Sequence, residues 1–267
     1  MALFQINFFS NALGREVNMA AVVPMETHPE MADMGIRAPE TFKPIYLLHG
    51  MTGSCMDWLT FFPLPLLAAK YGLAMIMLNG ENSFYMNDNV LNYHYEDFVC
   101  EEFPAFCRKI FSLSPKREDT SICGISMGGF GALHNGLTRP DVFGNIIALS
   151  PALIIDEVSR MKEGEKNKMS YEYYRHVFGP PSILLGNHAD PKALAKKLSE
   201  TPGKAPRIYQ ACGSEDFLIG QNRDFHQYLQ DLGIQHEYTE SPGIHDPNFW
   251  IPAFSKALEW LDGGTNV

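Results

Sequence analysis

The chain has 267 residues, of which 45% are hydrophobic and 19% are charged, a balance that suits one globular domain over residues 1–267. The formal net charge of −10 excludes nucleic acid and an anionic membrane surface as expected partners, because both would be repelled. No apolar run approaches the roughly 20 residues that a membrane helix needs. We therefore expect a small-molecule substrate and no membrane partner.

The N-terminal stretch and the cysteines indicate a reducing compartment. Residues Met1–Phe9 lack a basic n-region and are interrupted by polar side chains, so they do not resemble a signal peptide. The five cysteines are odd in number and widely spaced, which predicts free thiols in a cytoplasmic protein. Neither a C-x-x-C pair nor a His-rich ligand cluster is visible, so we predict no metal and no cofactor. Composition leaves a homo-oligomer open.

The hydrophobic pattern begins with a predicted antiparallel hairpin, Leu3–Phe9 against Glu16–Val23, at the edge of a sheet. A polar segment over 25–43 predicts an exposed loop. Further along the chain, apolar runs predict strands that alternate with helices. These strands are Ile45–Leu48, Leu73–Leu78, Ser121–Cys123, Ile146–Leu149, Arg207–Ala211 and His236–Thr239. The helices are Phe61–Tyr71, Tyr93–Phe111, Gly129–Thr138, Leu218–Leu232 and Pro247–Leu261. This alternation predicts an α/β fold with a mostly parallel central sheet.

Residues 153–190 interrupt the alternation. A charged stretch, Met161–Lys168, is followed by the aromatic run Ser170–Phe178 and a Gly-Pro-Pro sequence. The segment follows a predicted strand, and ligands of such sheets bind outside the carboxyl ends of the strands. We therefore predict a small lid-like insertion above the site, with an ordinary surface excursion as the alternative.

The most informative motif is Gly124-Ile125-Ser126-Met127-Gly128, a G-x-S-x-G pattern between a predicted strand and a predicted helix. A serine on such a sharp turn holds its hydroxyl out at the sheet edge, and glycines permit the tight backbone. A serine hydroxyl is a weak nucleophile and needs a base, which in turn needs an orienting acid. Ser126 is therefore the candidate nucleophile, and a glycine-rich structural turn is the alternative.

The base is expected near the C-terminus, after the acid. Of three candidate histidines there, His226 falls within a predicted helix and His236 within a predicted strand, whereas His245 lies in a loop between the last strand and the last helix. When the serine, the acid and the histidine follow one another in this order, the histidine lies in a loop at the end of a strand. His245 is therefore preferred. The acid is expected just past the strand Arg207–Ala211, where Glu215 and Asp216 are both available and Asp216 is favoured.

An oxyanion hole needs two N–H donors near the nucleophile. The backbone amide of Met127, directly after Ser126, supplies one. The second is expected in the loop after the strand Ile45–Leu48, and we predict the amide of Met51. His49, just before it, is predicted to be a buried structural residue.

Several segments in chain order resemble the esterase D superfamily, in particular its tributyrin esterase-like and feruloyl esterase-like members. They are Leu47–Gly53 with Trp58, Asn82–Tyr85, Gly124–Gly131, Cys212–Leu218 and Gly243–Asp246. The resemblance implies an α/β-hydrolase fold, hydrolysis of carboxylic esters without a cofactor, and a triad of Ser126, Asp216 and His245. It supports Asp216 over Glu215, because the family's acid directly precedes the Phe-Leu pair. Members of the family include small-acyl esterases, feruloyl esterases and S-formylglutathione hydrolases.

One residue departs from the family pattern: Pro247 stands where a tryptophan is common, two residues after the histidine, which suggests a lost contact with the pocket wall. The side chains that flank the predicted site are apolar and suit a neutral acyl or aryl group. Among them we predict that Trp58, Phe84 and Tyr85 contact the substrate. The aromatic run in the insertion adds the expectation that feruloyl esters are accepted beside short acyl esters.

Three alternatives remain. The same serine, histidine and acid would serve a thioesterase of the S-formylglutathione hydrolase type, although His49-Gly50 departs from the serine-glycine pair usual in that branch. They would also serve an acyltransferase that excludes water. A non-catalytic binding protein on the same scaffold is the third, and such proteins usually lose a triad residue, whereas all three are present here.

Overall fold

The computed structural model of the chain describes residues 1–26, 39–88, 90–201, 203 and 205–263, which form a central sheet with helices on both faces. Its strands are β1 (Ala2–Ser10), β2 (Arg15–Val23), β3 (Lys43–Leu48), β4 (Leu73–Leu78), β5 (Asn87–Asp88), β6 (Tyr93–His94), β7 (Ser121–Ile125), β8 (Asn145–Leu149), β9 (Arg207–Gly213) and β10 (Glu237–Ser241). Eight of them form the main sheet in the order β1-β2-β4-β3-β7-β8-β9-β10, and β5 pairs with β6 in a separate ribbon.

The main sheet is antiparallel only at one edge. The pairs β1–β2 and β2–β4 are antiparallel, and the pairs from β4 through β3, β7, β8 and β9 to β10 are parallel. The predicted N-terminal hairpin and the mostly parallel sheet are therefore confirmed. Parallel strands place their carboxyl ends at one edge, so the loops that follow β3, β7, β9 and β10 meet there.

The helices are α1 (Asp57–Phe61), α2 (Leu64–Tyr71), α3 (Tyr95–Asp97), α4 (Phe103–Ile110), α5 (Met127–Thr138), α6 (Ile155–Ser159), α7 (Tyr171–Phe178), α8 (Pro191–Ser199), α9 (Ile219–Asp231) and α10 (Pro247–Leu261). A π-helical turn, Phe98–Glu102, joins α3 to α4. No helix among the described ranges is long and apolar enough to cross a membrane.

The core lies on both faces of the sheet because successive side chains of a strand point in opposite directions. In β3, Tyr46 and Leu48 belong to the cluster that includes Phe130 of α5. Ile45 and Leu47 belong to the cluster on the other face, which includes Phe254 of α10. A strand buried on both faces explains the continuous apolar runs of the sequence.

The structure corrects several predicted boundaries. The predicted helix Phe61–Tyr71 is divided between α1 and α2, because Pro63 has no N–H to donate and forces Phe62 into an extended conformation with φ −113° and ψ 145°. The predicted helix Tyr93–Phe111 begins two residues later, since Tyr93–His94 forms β6. His236 precedes β10 rather than lying within it. Most of the predicted loop over 25–43 lies outside the described residues.

Candidate active site

Ser126 occupies a sharp turn between β7 and α5. Its backbone has φ 57° and ψ −116°, a conformation that costs a non-glycine residue free energy and therefore requires support from its surroundings. A Cβ on Gly124 would lie 2.0 Å from the carbonyl oxygen of Gly128, and one on Gly128 would lie 2.2 Å from the carbonyl oxygen of Leu48. Both positions therefore require glycine, because the neighbouring backbone leaves no room for a Cβ. This close approach explains the two glycines of the G-x-S-x-G motif.

The structure brings Ser126, His245 and Asp216 into one hydrogen-bonded chain. The hydroxyl oxygen of Ser126 lies 2.9 Å from Nε2 of His245. Nδ1 of His245 lies 2.8 Å from Oδ2 of Asp216. Because Nδ1–H donates to the carboxylate, Nε2 is left with a lone pair that accepts the serine hydroxyl. Ser126 and His245, 119 positions apart in sequence, thus meet in the arrangement that a serine nucleophile, its base and an orienting acid require.

Asp216 is buried, and its carboxylate is fully engaged. Burial opposes its ionisation, but hydrogen bonds from His245, from the backbone N–H of Leu218 and from the Ser150 hydroxyl outweigh this and hold the pKa of Asp216 below its ordinary value. Glu215 is exposed and accepts a hydrogen bond from the backbone N–H of Gly243, 2.5 Å away. The tight turn after β9 thus points one carboxylate at the imidazole and the other at the loop that carries it.

Met51 and Met127, the predicted oxyanion donors, line the same cavity as Ser126. Met127 is the first residue of α5, so its N–H has no acceptor within the helix. Met51 lines both cavities that border Ser126. Nδ1 of the buried His49 lies 2.7 Å from the carbonyl oxygen of Gly50, and its Nε2 accepts the N–H of Gly80 at 2.9 Å. Burial lowers the pKa of His49, which keeps the imidazole neutral as these two bonds require.

His49 fixes the Met51 amide through peptide geometry. In a trans peptide the C=O and the N–H point in opposite directions, so a held Gly50 carbonyl also holds the N–H of Met51. We expect His49→Ala to lower kcat on an acetyl ester by about 10²–10³, the usual effect of losing one oxyanion donor, with KM nearly unchanged.

A matched control for His49→Ala is Tyr85→Phe. The Tyr85 hydroxyl donates to the carbonyl oxygen of His49 at 2.9 Å, one peptide earlier, and its loss leaves the Gly50 carbonyl held. Steady-state kinetics on both variants, with melting temperatures to establish folding, test the argument. Equal losses of kcat in the two variants would contradict a specific role for the Gly50–Met51 peptide.

Two cavities meet at Ser126. The first, of about 210 Å³, is lined by Met51, Phe84, Ser126, Met127, Ala152, Ile154, Glu157, Val158, Asn167, Lys168, Tyr174, Phe217, Leu218 and Gln221. The second, of about 220 Å³, is lined by His49, Gly50, Met51, Asp57, Trp58, Phe61, Phe62, Ile125, Ser126, Lys168, His245 and Trp250. We name the first the roof cavity, because residues of the segment 152–174 form part of its lining. We name the second the imidazole cavity, because His245 forms part of its lining. An ester bound at Ser126 has room on both sides of its carbonyl carbon.

The predicted substrate contacts are only partly placed as expected. Phe84 lines the roof cavity, and Trp58, although 1% exposed, lines the imidazole cavity. Tyr85 does not line either cavity, because its side chain is fully buried. Its ring packs so closely against α5 that a Cβ on Gly131 would lie 2.4 Å from it. It supports the site from below through its bond to His49.

The aromatic run of the insertion contributes less than predicted. Tyr174 lines the roof cavity. The hydroxyl of Tyr173 instead donates to the carbonyl of Asn82 at 2.6 Å, and Phe178 packs against Phe84 with ring centroids 4.8 Å apart. The helical period of α7 explains why Tyr173 and Tyr174 differ, because adjacent residues face different neighbours, whereas Tyr174 and Phe178, four positions apart, share a face.

Three site residues were missed by the sequence analysis. Trp250 stands with its ring edge-on to His245, 5.0 Å between centroids, and its Nε1–H donates to Ser150. It lines the imidazole cavity about one turn beyond Pro247 on α10. Phe217 covers His245 at 4.7 Å, and the Lys168 ammonium lies 5.2 Å from the Phe217 ring centroid. The spacing of about one helical turn from Pro247 was a signal in the sequence that could have indicated Trp250.

The chain is 40% identical over 262 residues to an acetyl esterase from Caldicellulosiruptor saccharolyticus, which covers 98% of each protein. The structure is similar to FphF, a fluorophosphonate-binding serine hydrolase of Staphylococcus aureus, with a TM-score of 0.84, 27% identity and 98% coverage of both chains. It is also similar to the S-formylglutathione hydrolase FrmB of Staphylococcus aureus, with a TM-score of 0.82, 26% identity and coverage of 98% of this chain and 99% of that one.

These likenesses confirm the expected α/β-hydrolase fold and the resemblance to esterase D-like proteins. They also agree with a site that offers a serine, a histidine and a carboxylate in hydrogen-bond contact. The family described as "Putative esterase" matches residues 10–261, so this chain belongs to that esterase family and is a carboxylesterase.

Proposed function

We propose that this carboxylesterase hydrolyses short-acyl esters, with Ser126 as nucleophile, His245 as general base and acid, and Asp216 as the orienting acid. The backbone amides of Met51 and Met127 form the oxyanion hole. The observation that carries the proposal is the unbroken hydrogen-bond chain from the Ser126 hydroxyl through His245 to the Asp216 carboxylate.

In the first half-reaction the Ser126 oxygen attacks the ester carbonyl carbon while Nε2 of His245 takes its proton. The carbonyl oxygen becomes an oxyanion that accepts hydrogen bonds from the two amides. The imidazolium is stabilised by Asp216, which stays ionised because its pKa is low. Collapse of the intermediate breaks the bond to the alcohol oxygen, which receives the proton from His245, and leaves an acyl-enzyme ester on Ser126.

In the second half-reaction water takes the place of the alcohol. His245 removes a proton from the water as it attacks the acyl carbon, and then returns that proton to the Ser126 oxygen when the acyl-enzyme bond breaks. The free acid and the starting enzyme result. No metal or cofactor takes part in either half-reaction.

The two cavities receive different halves of the ester. The departing alcohol oxygen must lie near Nε2 of His245, which lines the imidazole cavity, so the alcohol occupies that side. The acyl group then enters the roof cavity, whose walls include Phe84, Ile154 and Val158. Its volume of about 210 Å³ is below the roughly 300–1,000 Å³ of typical drug-sized sites. This supports short acyl groups over long alkyl chains.

The insertion 153–190 acts as the roof of the acyl side. Its residues Ile154, Glu157, Val158, Asn167, Lys168 and Tyr174 line the roof cavity. Its aromatic walls are Phe84, Tyr174 and Phe217, and its small volume accommodates an acetyl or butyryl group more readily than the longer feruloyl group. We therefore expect slower hydrolysis of feruloyl esters.

A panel of 4-nitrophenyl esters with acetyl, butyryl and octanoyl groups, together with a feruloyl ester, tests the acyl preference. We expect kcat/KM for butyryl to exceed that for octanoyl by roughly tenfold or more, since even one misfitting methylene costs about 1–3 kcal/mol. Feruloyl is expected between them. A higher kcat/KM for the octanoyl ester than for the butyryl ester would contradict the assignment of the acyl group to the roof cavity.

Two variants separate the cavities. Ile154 is only partly buried, and Ile154→Ala enlarges the roof cavity, so hydrolysis of the octanoyl ester is expected to rise several-fold with little change for acetyl. Phe61→Ala, in the exposed wall of the imidazole cavity, is the matched control. It is expected to change the preference among alcohols and to leave the acyl profile unaltered. A changed acyl profile in the control alone would reverse the assignment of the two cavities.

A second candidate is thioester hydrolysis of the S-formylglutathione type, favoured by the likeness to FrmB at 26% identity. The Lys168 ammonium borders both cavities and suits an anionic leaving group. S-formylglutathione belongs in the same assay, and a kcat/KM above that for the acetyl ester would favour this candidate. Added methanol distinguishes acyl transfer, because a transferase would form methyl ester faster than free acid.

A further inference from the structure

The fold assembles a second group of reactive side chains away from Ser126. Glu96 of α3, His134 of α5 and His188, which follows α7, place one ligand atom each within 4.8 Å of one another. Nε2 of His134 lies 3.1 Å from Oε2 of Glu96, and Nε2 of His188 lies 2.8 Å from the same oxygen. His134 is eight residues beyond Ser126 on α5, roughly 12 Å along the helix.

We propose that Glu96, His134 and His188 bind a Zn²⁺ ion through two imidazole nitrogens and one carboxylate, with water at the fourth position. Zinc bond lengths of about 2.1 Å in a tetrahedron place ligand atoms roughly 3.4 Å apart. The two nitrogen–oxygen distances of 3.1 and 2.8 Å are shorter than this separation, and all three ligand atoms lie within 4.8 Å of one another, so modest side-chain rotations bring them to it. Imidazole with carboxylate suits zinc, whereas Ca²⁺ and Mg²⁺ prefer oxygen ligands alone.

The cluster is assembled around one carboxylate. Oε2 of Glu96 lies within hydrogen-bond distance of both imidazoles, so the carboxylate already faces both nitrogen ligands. His134 is fully buried, so packing fixes the position of its imidazole beside Glu96. Within the described residues its Nδ1 has no hydrogen-bond partner, whereas Nε2 faces the carboxylate. The ring is thus held with one nitrogen directed at the cluster.

Solvent reaches the cluster through a neighbouring cavity. Glu96 and His188 line an open cavity of about 750 Å³, and the His188 side chain is 55% exposed. An ion can therefore enter from the side of His188 and displace the protons that now join the imidazoles to Glu96. Because His188 belongs to the insertion 153–190, a bound ion would fasten that segment to α5, the helix that begins at the nucleophile.

Calorimetric titration of untagged protein, first stripped with a chelator, tests the site with ZnCl₂ as the probe. We expect one tight site per chain and a melting temperature raised by roughly 5 °C at a hundredfold excess over Kd. Mg²⁺ and Ca²⁺ are expected to produce neither effect. His188→Ala, at an exposed position that does not endanger the fold, is expected to weaken Zn²⁺ binding by about tenfold or more.

Two other histidine groupings provide matched controls. His176 lines the same cavity and pairs with Asp88, and His236 contacts His226 at 2.7 Å. His176→Ala and His236→Ala are expected to retain the tight site. Glu96→Gln keeps a hydrogen-bonding side chain but removes the anionic ligand, so it is expected to weaken binding as His188→Ala does.

Absence of stoichiometric Zn²⁺ binding would overturn the proposal, and so would binding that survives His188→Ala and Glu96→Gln but is lost in His236→Ala. The cluster would then be an ion pair only. Hydrolysis of an acetyl ester in the presence of the chelator is measured in parallel at low temperature. It is expected to be unchanged, because the esterase reaction uses no metal, so failure of this proposal and failure of the proposed function are distinguishable.

Discussion

Replacement of Ser126 with alanine is expected to lower turnover on an acetyl ester by roughly 10⁴–10⁶, the usual cost of removing a triad residue. In the proposed mechanism the hydroxyl oxygen is the atom that bonds to the acyl carbon, and without it no acyl-enzyme can form. The backbone of the turn is unchanged, because serine and alanine both carry a Cβ, so we expect the melting temperature to stay close to that of the wild type.

The control for Ser126→Ala is Ser121→Ala, which changes a buried serine at the opposite end of β7. It is expected to retain activity. A fluorophosphonate probe provides an independent readout, because it should add to Ser126 in the wild type and leave the alanine variant unlabelled by mass spectrometry. Retention of a tenth or more of the wild-type rate in Ser126→Ala would show that another residue is the nucleophile.

Asp216→Asn is expected to lower kcat by up to about 10⁴. The Asp216 Oδ1 atom accepts the N–H of Leu218 at 2.9 Å, a bond that the asparagine oxygen retains. Its NH₂ group then faces Nδ1 of His245 and donates to it. This forces the proton onto Nε2, which can no longer accept the Ser126 hydroxyl. The expected loss of kcat therefore comes from the wrong tautomer of His245 and not from unfolding.

Glu215→Gln is the matched control for this prediction. Its side-chain oxygen can still accept the N–H of Gly243, the bond that holds the loop of His245. We expect at most a few-fold loss of kcat, measured on the same ester and with the same check of melting temperature. If Glu215→Gln were the inactive variant and Asp216→Asn the active one, the assignment of the acid within this turn would be wrong.

The sequence predicted the sheet well because local physical requirements define it. Strands buried on both faces must be apolar throughout, which is why Ile45–Leu48 and Leu73–Leu78 were recognised. The helix Pro247–Leu261 was predicted with its observed bounds, since Asp246 caps its first turn through bonds to the N–H groups of Asn248 and Phe249. Boundaries failed where a local signal was given too little weight, as at Pro63.

In the site, too, features that depend on neighbouring residues were predicted, and contacts between distant segments were not. The turn at Ser126 is visible in sequence because its glycines are needed within five consecutive residues. The role of His49 was only partly foreseen, because the bond to Gly80 joins loops that are 31 residues apart. Trp250 was missed because its partner Ser150 lies 100 residues earlier, after β8.

The sequence by itself therefore determined the parallel α/β sheet, the sharp turn at Ser126 and the loops that carry Asp216 and His245, since each depends on neighbouring residues and on strand ends. The sequence favoured Asp216 over Glu215, and the tertiary structure places Asp216 against His245. Only the tertiary structure decided that Tyr85 lies beneath the site and that Glu96, His134 and His188 meet. The physical reason is that these contacts depend on how separate strand-end loops and helices are oriented. Side-chain direction across such distances is set by packing rather than by any short stretch of chain.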